Sequence, residues 1–206
     1  MPMFPLGSVL FPEMPLPLRV FEERYLVMLS ELVTSGDPRF GVVLIERGFE
    51  VGGGEHRFGV GTAATITQLG AEEGVVGLVA QGGERFEVVE WLPEEPYPRA
   101  EVRFLPELDA GPELEPLRRE TEQLVRRSIA QASEFAELVW PADVELSDDP
   151  ARALWQLAAI SPLGPLDQVA LLRATSGEEL LRRLAALTEE AALAWHTPWP
   201  EDEPEG

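Results

Sequence analysis

The sequence contains neither lysine nor cysteine, so all 16 of its basic residues are arginine. Without lysine, it has no Schiff-base nucleophile, no Ser–Lys catalytic dyad and no P-loop lysine to reach a nucleotide phosphate. Without cysteine, it has no disulfide, no thiolate metal site and no thiol nucleophile, and the redox compartment stays undetermined. These two absences exclude several common classes of catalytic site from this sequence.

Positive charge is also scarce. The sequence has 37 acidic residues against 16 basic ones, which gives a formal net charge of −21. Residues 1–105 hold 8 Arg against 16 acidic residues, and residues 106–206 hold 8 Arg against 21. Nucleic acids and anionic membranes both attract proteins through cationic side chains. We therefore expect neither a nucleic acid nor a membrane as a partner.

No apolar run reaches the ~18 residues that a membrane helix needs. The apolar stretch over residues 3–22 contains four prolines, and no basic residue precedes Arg19. A secretory signal requires a cationic start and then an uninterrupted apolar run. The stretch is therefore predicted to form short extended segments rather than a leader, and we expect a cytoplasmic protein.

The first half of the sequence has the pattern of short β-strands, because β-branched residues cluster in runs bounded by Gly or Pro. One helix interrupts them, since apolar residues recur at helical spacing between Phe21 and Gly36. The pair Gly82-Gly83 predicts a turn between two antiparallel strands. This pattern predicts a small, closed or partly closed β-barrel. The predicted strands lie near residues 3–4, 14–18, 40–45, 59–69, 75–80, 85–92 and 100–105.

The second half changes to a period of about 3.6 residues from Gly111 onward, which is typical of amphipathic helices. Asp149-Pro150 suits a helix start, and Ser176 with Glu179 has the spacing of a capping box. A bundle of four or five helices is predicted, followed by an acidic, Pro-rich tail that we expect to be disordered. The predicted fold class is α+β. The predicted domains are a β-barrel over residues 1–108, a helical bundle over 109–196 and the disordered tail over 197–206.

No pattern in the sequence points to catalysis. Residues 59–64 fit G-x-G-x-x-A, but the following residues continue as a strand, whereas a dinucleotide site needs a helix there. His56 and His196 are isolated and form a poor metal site. Acidic pairs such as Glu94-Glu95 and Asp148-Asp149 occur in loops or at helix starts, with no sign of the shared apolar pocket that catalytic carboxylates need. We therefore expect no catalytic residue, no cofactor and no metal.

Several motifs in order resemble one family. Residues 4–25, FPLGSVLFPEMPLPLRVFEERY, resemble the opening signature of the Lon N-terminal domain, also called the Lon substrate-binding domain. Residues 40–69 contain FGVVLIERGFEVGGG and FGVGTAATITQL, which resemble its next strands, and residues 78–102 resemble its G-x-x-R-F segment. Residues 161–190 resemble its helical end. The resemblance covers about residues 3–190, and the order of the motifs is more specific than any one of them.

The resemblance implies a PUA-like β-barrel followed by a helical subdomain. In full Lon proteases this region recognises unfolded or tagged proteins and helps to assemble the ring, and an ATPase domain and a Ser–Lys protease domain follow it. Here the sequence ends at Gly206 without a Walker motif or a lysine. The resemblance therefore implies a non-catalytic protein- or peptide-binding module, an adaptor or holdase in protein quality control. Its expected partners are unfolded or tagged polypeptides and a separate protease or ATPase.

Seven residues are candidates for peptide contact. Aromatic and methionine side chains bury large areas against irregular partners, and arginine can clamp a carboxylate or a carbonyl. The alternative for the apolar candidates is that they fill the core, and the alternative for the two arginines is an internal ion pair, with Glu22 or Glu101. The candidates are Phe11, Met14, Arg24, Tyr25, Arg85, Phe86 and Tyr97.

Two other functions stay open at this point. PUA-like barrels of other proteins bind RNA, but RNA binding needs a basic stripe that this sequence lacks. An enzyme with an unrecognised site is the third hypothesis. The acidic surface favours basic, unfolded segments as ligands. The sequence does not indicate an oligomeric state.

Overall fold

A six-stranded mixed β-sheet forms the first half of the chain in the computed structural model, which describes residues 1–46, 56–72, 75–136 and 138–195. Helix α1 (Glu23–Ser35) follows the second strand, and it ends before Gly36 as predicted. The two short extended segments predicted near the N-terminus are also confirmed. The strands are β1 (Met3–Leu6), β2 (Pro15–Val20), β3 (Arg39–Glu46), β4 (His56–Glu72), β5 (Val75–Leu92) and β6 (Arg99–Phe104).

The sheet is open, so the prediction of a closed β-barrel is wrong. The strand order is β1-β3-β4-β5-β2, with β6 also paired to β5, and only the β1–β3 pair is parallel. Strand β5 is 18 residues long and carries β2 beside its first part and β6 beside its second part. The start of the chain meets β6 and the residue before it through an isolated bridge between Pro2 and Arg99 and three main-chain hydrogen bonds. Met1 donates to the carbonyl of Ala100 at 2.8 Å and accepts its N–H at 3.0 Å, and Met3 donates to the carbonyl of Pro98 at 2.8 Å. Among the described residues these contacts do not extend into a strand ladder between β1 and β6, so the sheet does not close into a barrel.

The prediction of a turn at Gly82-Gly83 is also wrong, because β5 continues through both residues. The loop after β1 crosses the strand here: Gly82 donates its N–H to the carbonyl of Met14 at 2.9 Å, and Glu13 donates to the carbonyl of Gly82 at 2.9 Å. A Cβ atom on Gly82 would lie 2.3 Å from the carbonyl oxygen of Phe11. Glycine is therefore required for close backbone approach rather than for a turn.

Residues 59–64 lie within strand β4, as the interpretation against a nucleotide loop expected. A Cβ atom on Gly61 would lie 2.1 Å from the carbonyl oxygen of Val42 on the neighbouring strand. The glycine of this segment therefore permits close strand packing, and the resemblance to a dinucleotide fingerprint has no structural counterpart.

The second half of the described chain is helical. Asp149 accepts the N–H of Arg152 at 3.0 Å and caps α3, as predicted. Ser176 accepts the N–H of Glu179 at 3.1 Å, and Glu179 reaches back to the N–H of Thr175 at 2.8 Å, one residue before the predicted partner. The elements are a 3₁₀ turn (Pro112–Leu114), α2 (Glu115–Ala132), α3 (Pro150–Ile160), α4 (Pro165–Leu172) and α5 (Gly177–Trp195).

The sheet and the helices share one hydrophobic core. Its buried side chains come from the sheet, from α1 and from all four helices of the second half. Phe4 of β1 stacks on Tyr25 of α1, with ring centroids 4.1 Å apart, and Phe11 packs against Trp155 of α3, with centroids 6.1 Å apart. Apolar burial is the main force that holds such layers together. Contact between sheet and helices is therefore part of the fold.

Two sequence predictions fall on residues outside the described ranges: His196 and the tail over 197–206. Within the described ranges, no helix is both long enough and apolar enough to cross a membrane.

Candidate functional site

A cleft of about 290 Å³ lies where the sheet meets the helices. Four segments line it: the loop after β1 at Pro12 and Glu13, the middle of β5, the segment over residues 105–108 after β6, and the first turns of α3. Pro150 at the first position of α3 and the Asp149 cap fix where that helix begins, so they set one wall of the cleft.

Arg85 forms the inner end of the cleft, and its side chain is almost completely buried, with 4% of the residue exposed. Its Nη1 donates to the carbonyl oxygens of Leu172 and Ala174, both at 2.7 Å, and its Nη2 donates to the carbonyl oxygen of Pro106 at 2.8 Å. One guanidinium thus joins β5 to the α4–α5 connection and to the segment after β6. These carbonyls take the place of the internal ion pair with Glu22 or Glu101 that was the alternative for Arg85.

Burial lowers the pKa of Arg85 from its ordinary value, because the charged guanidinium has lost most of its water. Arginine still stays protonated, so the cleft has a fixed positive charge at its inner end. No carboxylate among the described residues forms an ion pair with it. Three carbonyl dipoles and an aromatic face therefore replace water around this charge.

Trp155 supplies that aromatic face. The guanidinium carbon of Arg85 lies 4.8 Å from the centroid of the Trp155 ring, which is cation–π geometry. Phe11 packs against the same ring. Sequence reasoning missed Trp155, because an apolar residue within a helical pattern looks like any other core position. The sequence does show a bulky aromatic residue near the start of α3, but no pattern in it predicts that this helix packs against β5.

The mouth of the cleft is mostly acidic. Glu84, Glu107 and Asp149 are exposed there, and Glu13 lies 3.3 Å from the guanidinium of Arg152. Glu13 also has a φ of 64°, an uncommon value for a residue other than glycine. Its N–H bond to Gly82 holds this loop conformation against the sheet. No group of His, Asp or Glu in the described ranges is arranged to hold a metal ion.

Three of the predicted contact residues lie at α1, since Arg24 and Tyr25 are in its first turn and Tyr97 bonds to its Glu31, and none of them lines the cleft. Arg24 bonds to Glu22 at 3.1 Å and to Glu94 at 2.7 Å, so the Glu22 partner of the alternative is present, but the ion pair lies at the surface rather than in the interior. The guanidinium of Arg24 lies 4.7 Å from the ring centroid of Tyr25. Tyr97 donates its hydroxyl to the carboxylate of Glu31 at 2.5 Å.

The pKa of Tyr97 is raised from its ordinary value, first by burial and then by the hydrogen bond to Glu31. Both causes favour the neutral phenol, since ionised tyrosine would be partly desolvated and would face a carboxylate. Tyr97 therefore serves here as a hydrogen-bond donor that joins the segment before β6 to α1.

Six of the seven predicted contact residues are buried in the described structure, and only Arg24, with 34% of its side chain exposed, is open to solvent. Phe86 lies in a small cluster with Met3, and Met14 and Phe11 lie in the main core. Of the predicted residues, Arg85 therefore lines the cleft, Phe11 packs on its Trp155, Met14 and Phe86 are core residues, and the other three lie at α1. Direct peptide contact by them stays a prediction.

Comparison with known proteins agrees with this architecture. The family model of the ATP-dependent protease La (LON) substrate-binding domain matches residues 1–190. The chain belongs to this family. Lon protease 2 of Herpetosiphon aurantiacus is 30% identical over 195 residues, which cover 91% of this chain and 23% of that protein. Lon protease of Escherichia coli K12 is 29% identical over 198 residues, 91% of this chain and 24% of that protein.

Solved structures of Lon N-terminal domains have the same fold. The Lon N-terminal domain protein from Xanthomonas campestris is 26% identical, with a TM-score of 0.60 over 95% of this chain and 97% of that one. The N-terminal domain of Mycobacterium avium complex Lon protease is 19% identical, with a TM-score of 0.64 over 92% and 97%. This chain spans about a quarter of the length of the full Lon proteases that it matches.

Proposed function

We propose that this Lon substrate-binding domain is a non-catalytic module that binds unfolded or tagged polypeptide segments in the cleft between the sheet and α3. The cleft itself carries the proposal, because it combines an aromatic side wall with a buried, fixed charge at the junction of two structural layers. Such junctions between layers and domains are preferred places for ligand sites. The family match supplies the substrate class.

The size of the cleft favours an anchoring mode of binding. Small-molecule sites usually occupy ~300–1,000 Å³, and this cleft is at the lower end of that range. It therefore suits one or two side chains of an extended segment, while the rest of the segment lies on the surface. A few buried anchors commonly supply most of the binding free energy in protein complexes.

The seven predicted residues have two proposed roles. Arg85 and Phe11 both contact the Trp155 ring and help to hold it in place, whereas Met14 and Phe86 fill two clusters of the core. Arg24, Tyr25 and Tyr97 form a second region beside α1, where the partly exposed Arg24 is the proposed contact. No RNA-binding role is proposed, because nothing in the geometry adds a basic surface.

We also propose that the module acts as an adaptor or holdase in the cytoplasm, with a separate protease or ATPase as its partner. The acidic composition supports a preference for basic clients. Proteins captured on the immobilised chain would be compared with those captured on a variant whose cleft is blocked. The comparison separates specific partners from background. An ATPase or protease retained by both would use a surface outside the cleft.

The domain limits remain a proposal: a PUA-like sheet domain over residues 1–108, a helical domain over 109–196 and a tail over 197–206. The support is that β6 ends at Phe104 and the next helical turn begins at Pro112. Limited proteolysis would test it, since the first cuts should fall within 105–111 or beyond 196. Early cuts inside β5 would contradict these limits.

Blocking the cleft tests the binding proposal. Ala151 is exposed and lines the cleft, so Ala151→Trp would fill it without touching the core. Ala186→Trp, on the exposed face of α5, is the matched control. Fluorescence anisotropy with a labelled, permanently unfolded polypeptide should show at least a tenfold weaker Kd for Ala151→Trp and little change for Ala186→Trp. Equal binding by both variants would overturn the proposed site.

A further inference from the structure

The arginines at the cleft already have partners. Arg85 donates to three carbonyl groups, and Arg152 lies 3.3 Å from the carboxylate of Glu13. An incoming carboxylate would have to compete with these bonds. The positive charges of the cleft are therefore poorly placed to recruit an acidic ligand, although one of them lies at its inner end.

Three carboxylates at the mouth have no such partners. Glu84, Glu107 and Asp149 are exposed, and none of them forms an ion pair with a described residue. Asp149 uses one oxygen to cap α3, which leaves the other oxygen accessible. We call these three residues the rim carboxylates. Glu84 is close enough to Arg39 to contribute to the raised pKa of that guanidinium, but none of the three rim carboxylates is in an ion pair with a described residue, so the electrostatic potential at the mouth favours cations.

The inside of the cleft has a different character from its rim. The buried Leu108 and Trp155 and the half-buried Leu105 line it, and the exposed Pro106 and Ala151 continue this apolar lining toward the surface. These side chains offer apolar contact and no acidic group. A ligand that fits both surfaces must present an apolar side chain to the interior and positive charge to the rim.

Resting on the peptide-binding function proposed above, we propose that the cleft is selective for segments in which an apolar residue is flanked by Lys or Arg. The apolar side chain enters beside Trp155, and the flanking cations pair with the rim carboxylates. Glu84, Glu107 and Asp149 are then the residues that determine specificity. Charge complementarity identifies the occupant, because acidic flanks would meet the same carboxylates and be repelled.

Three labelled peptides test this selectivity directly. Each has a central Trp-Leu pair in a twelve-residue unfolded sequence, and the flanking residues are Lys, Gln or Glu. Exposed ion pairs are individually weak, so two or three of them should make the Lys peptide bind about 5- to 10-fold more tightly than the Gln peptide. The Glu peptide should bind more weakly than both. Raising the salt concentration should reduce the difference between the peptides.

A triple variant separates the rim from the overall charge. Glu84→Gln, Glu107→Gln and Asp149→Asn remove the rim charges, and asparagine still caps α3. Glu120→Gln, Glu189→Gln and Glu190→Gln remove three exposed charges elsewhere and serve as the control. The rim variant should lose the preference for Lys over Gln, whereas the control should keep it. Circular dichroism would verify that both are folded.

The outcomes distinguish this inference from the proposed function. If the wild-type chain binds all three peptides equally, or if both triple variants lose the preference alike, rim selectivity is wrong while peptide binding stands. If neither the peptides nor an unfolded polypeptide bind, the proposed function itself is wrong. Preference for the Lys peptide that disappears only in the rim variant supports the assignment of the three carboxylates.

Discussion

Arg85→Met would remove the guanidinium that joins the sheet to the helices while keeping an unbranched side chain of similar length. The carbonyl oxygens of Leu172, Ala174 and Pro106 would lose their donor, and Trp155 would lose the cation over its ring. Leaving a buried acceptor without a partner costs about 1–3 kcal/mol each. Water that enters from the cleft can replace some of the lost hydrogen bonds, so the expected loss of stability lies well below the sum of the three penalties.

We expect Arg85→Met to lower the free energy of unfolding by about 3–5 kcal/mol, which is a large part of the ~5–15 kcal/mol by which domains are usually stable. Arg103→Met is the control, because Arg103 is 72% exposed and pairs with Glu87 at the surface. Such exposed pairs contribute ~1 kcal/mol or less. Urea unfolding followed by circular dichroism measures both variants on one scale.

Arg85→Lys gives a second comparison. A lysine ammonium has three donors but no planar fork, so it cannot reach all three carbonyls and cover the Trp155 ring at once. Its loss should lie between those of the two Met variants. If Arg85→Met costs less than 1 kcal/mol, like Arg103→Met, then the carbonyl clamp does not hold the sheet and helices together, and the proposed origin of the cleft is refuted.

Two further predictions concern β5 and the segment before β6. Gly82→Ala should destabilise the chain by about 2 kcal/mol or more in urea unfolding, because its Cβ would meet the carbonyl of Phe11. Gly83→Ala is the control and should be nearly neutral, because the atom nearest to its Cβ would lie at 3.4 Å. Equal costs would contradict the crossing-loop contact. Tyr97→Phe should reduce the fall in the free energy of unfolding at alkaline pH. The pKa of Tyr97 is raised in the folded chain, so its contribution to stability is present below about pH 10 and is lost as the pH rises through the folded pKa. Phenylalanine does not titrate, so the variant should lack this pH dependence. Identical alkaline unfolding of both forms would contradict the Tyr97–Glu31 bond.

The elements that sequence reasoning predicted correctly depend on local signals. Proline punctuation placed β1 and β2, apolar spacing placed α1, and the cap at Asp149 placed the start of α3. Each of these signals acts within a few residues of chain, where side-chain and backbone chemistry decide the conformation directly. Local patterns of this kind are therefore visible without any knowledge of tertiary contacts.

The two wrong predictions both depended on contacts between distant residues. The Gly82-Gly83 pair was interpreted as a turn because glycine permits turns, but the actual requirement comes from Phe11, which lies 71 positions earlier in the sequence. Barrel closure failed for a similar reason. Two strands at opposite ends of a sheet pair only if the twist of the sheet brings them together and if their edges are not already occupied. The alternation of apolar and polar residues along each strand gives no information on either condition.

The candidate site could be predicted only in part. The sequence singles out Arg85, because a cation within an apolar motif needs a partner, and the structure shows such partners. Its partners are main-chain carbonyls, however, which every residue has, so no side-chain pattern could have identified Leu172, Ala174 or Pro106. Trp155 could not be predicted as a site residue either, because its role depends on the packing of α3 against β5.

The same guanidinium supports both the fold and the proposed cleft, so stability and binding should be linked. A ligand that binds only the folded chain at 100 times its Kd stabilises it by about 2.7 kcal/mol. This is slightly less than the loss of about 3–5 kcal/mol expected for Arg85→Met. If that substitution distorts the cleft, a saturating Lys-flanked peptide should raise the free energy of unfolding of the variant much less than that of the wild-type chain. An equal gain in both would mean that the peptide binds a surface that does not depend on Arg85. The region beside α1, where Arg24 is exposed, would then become the better site.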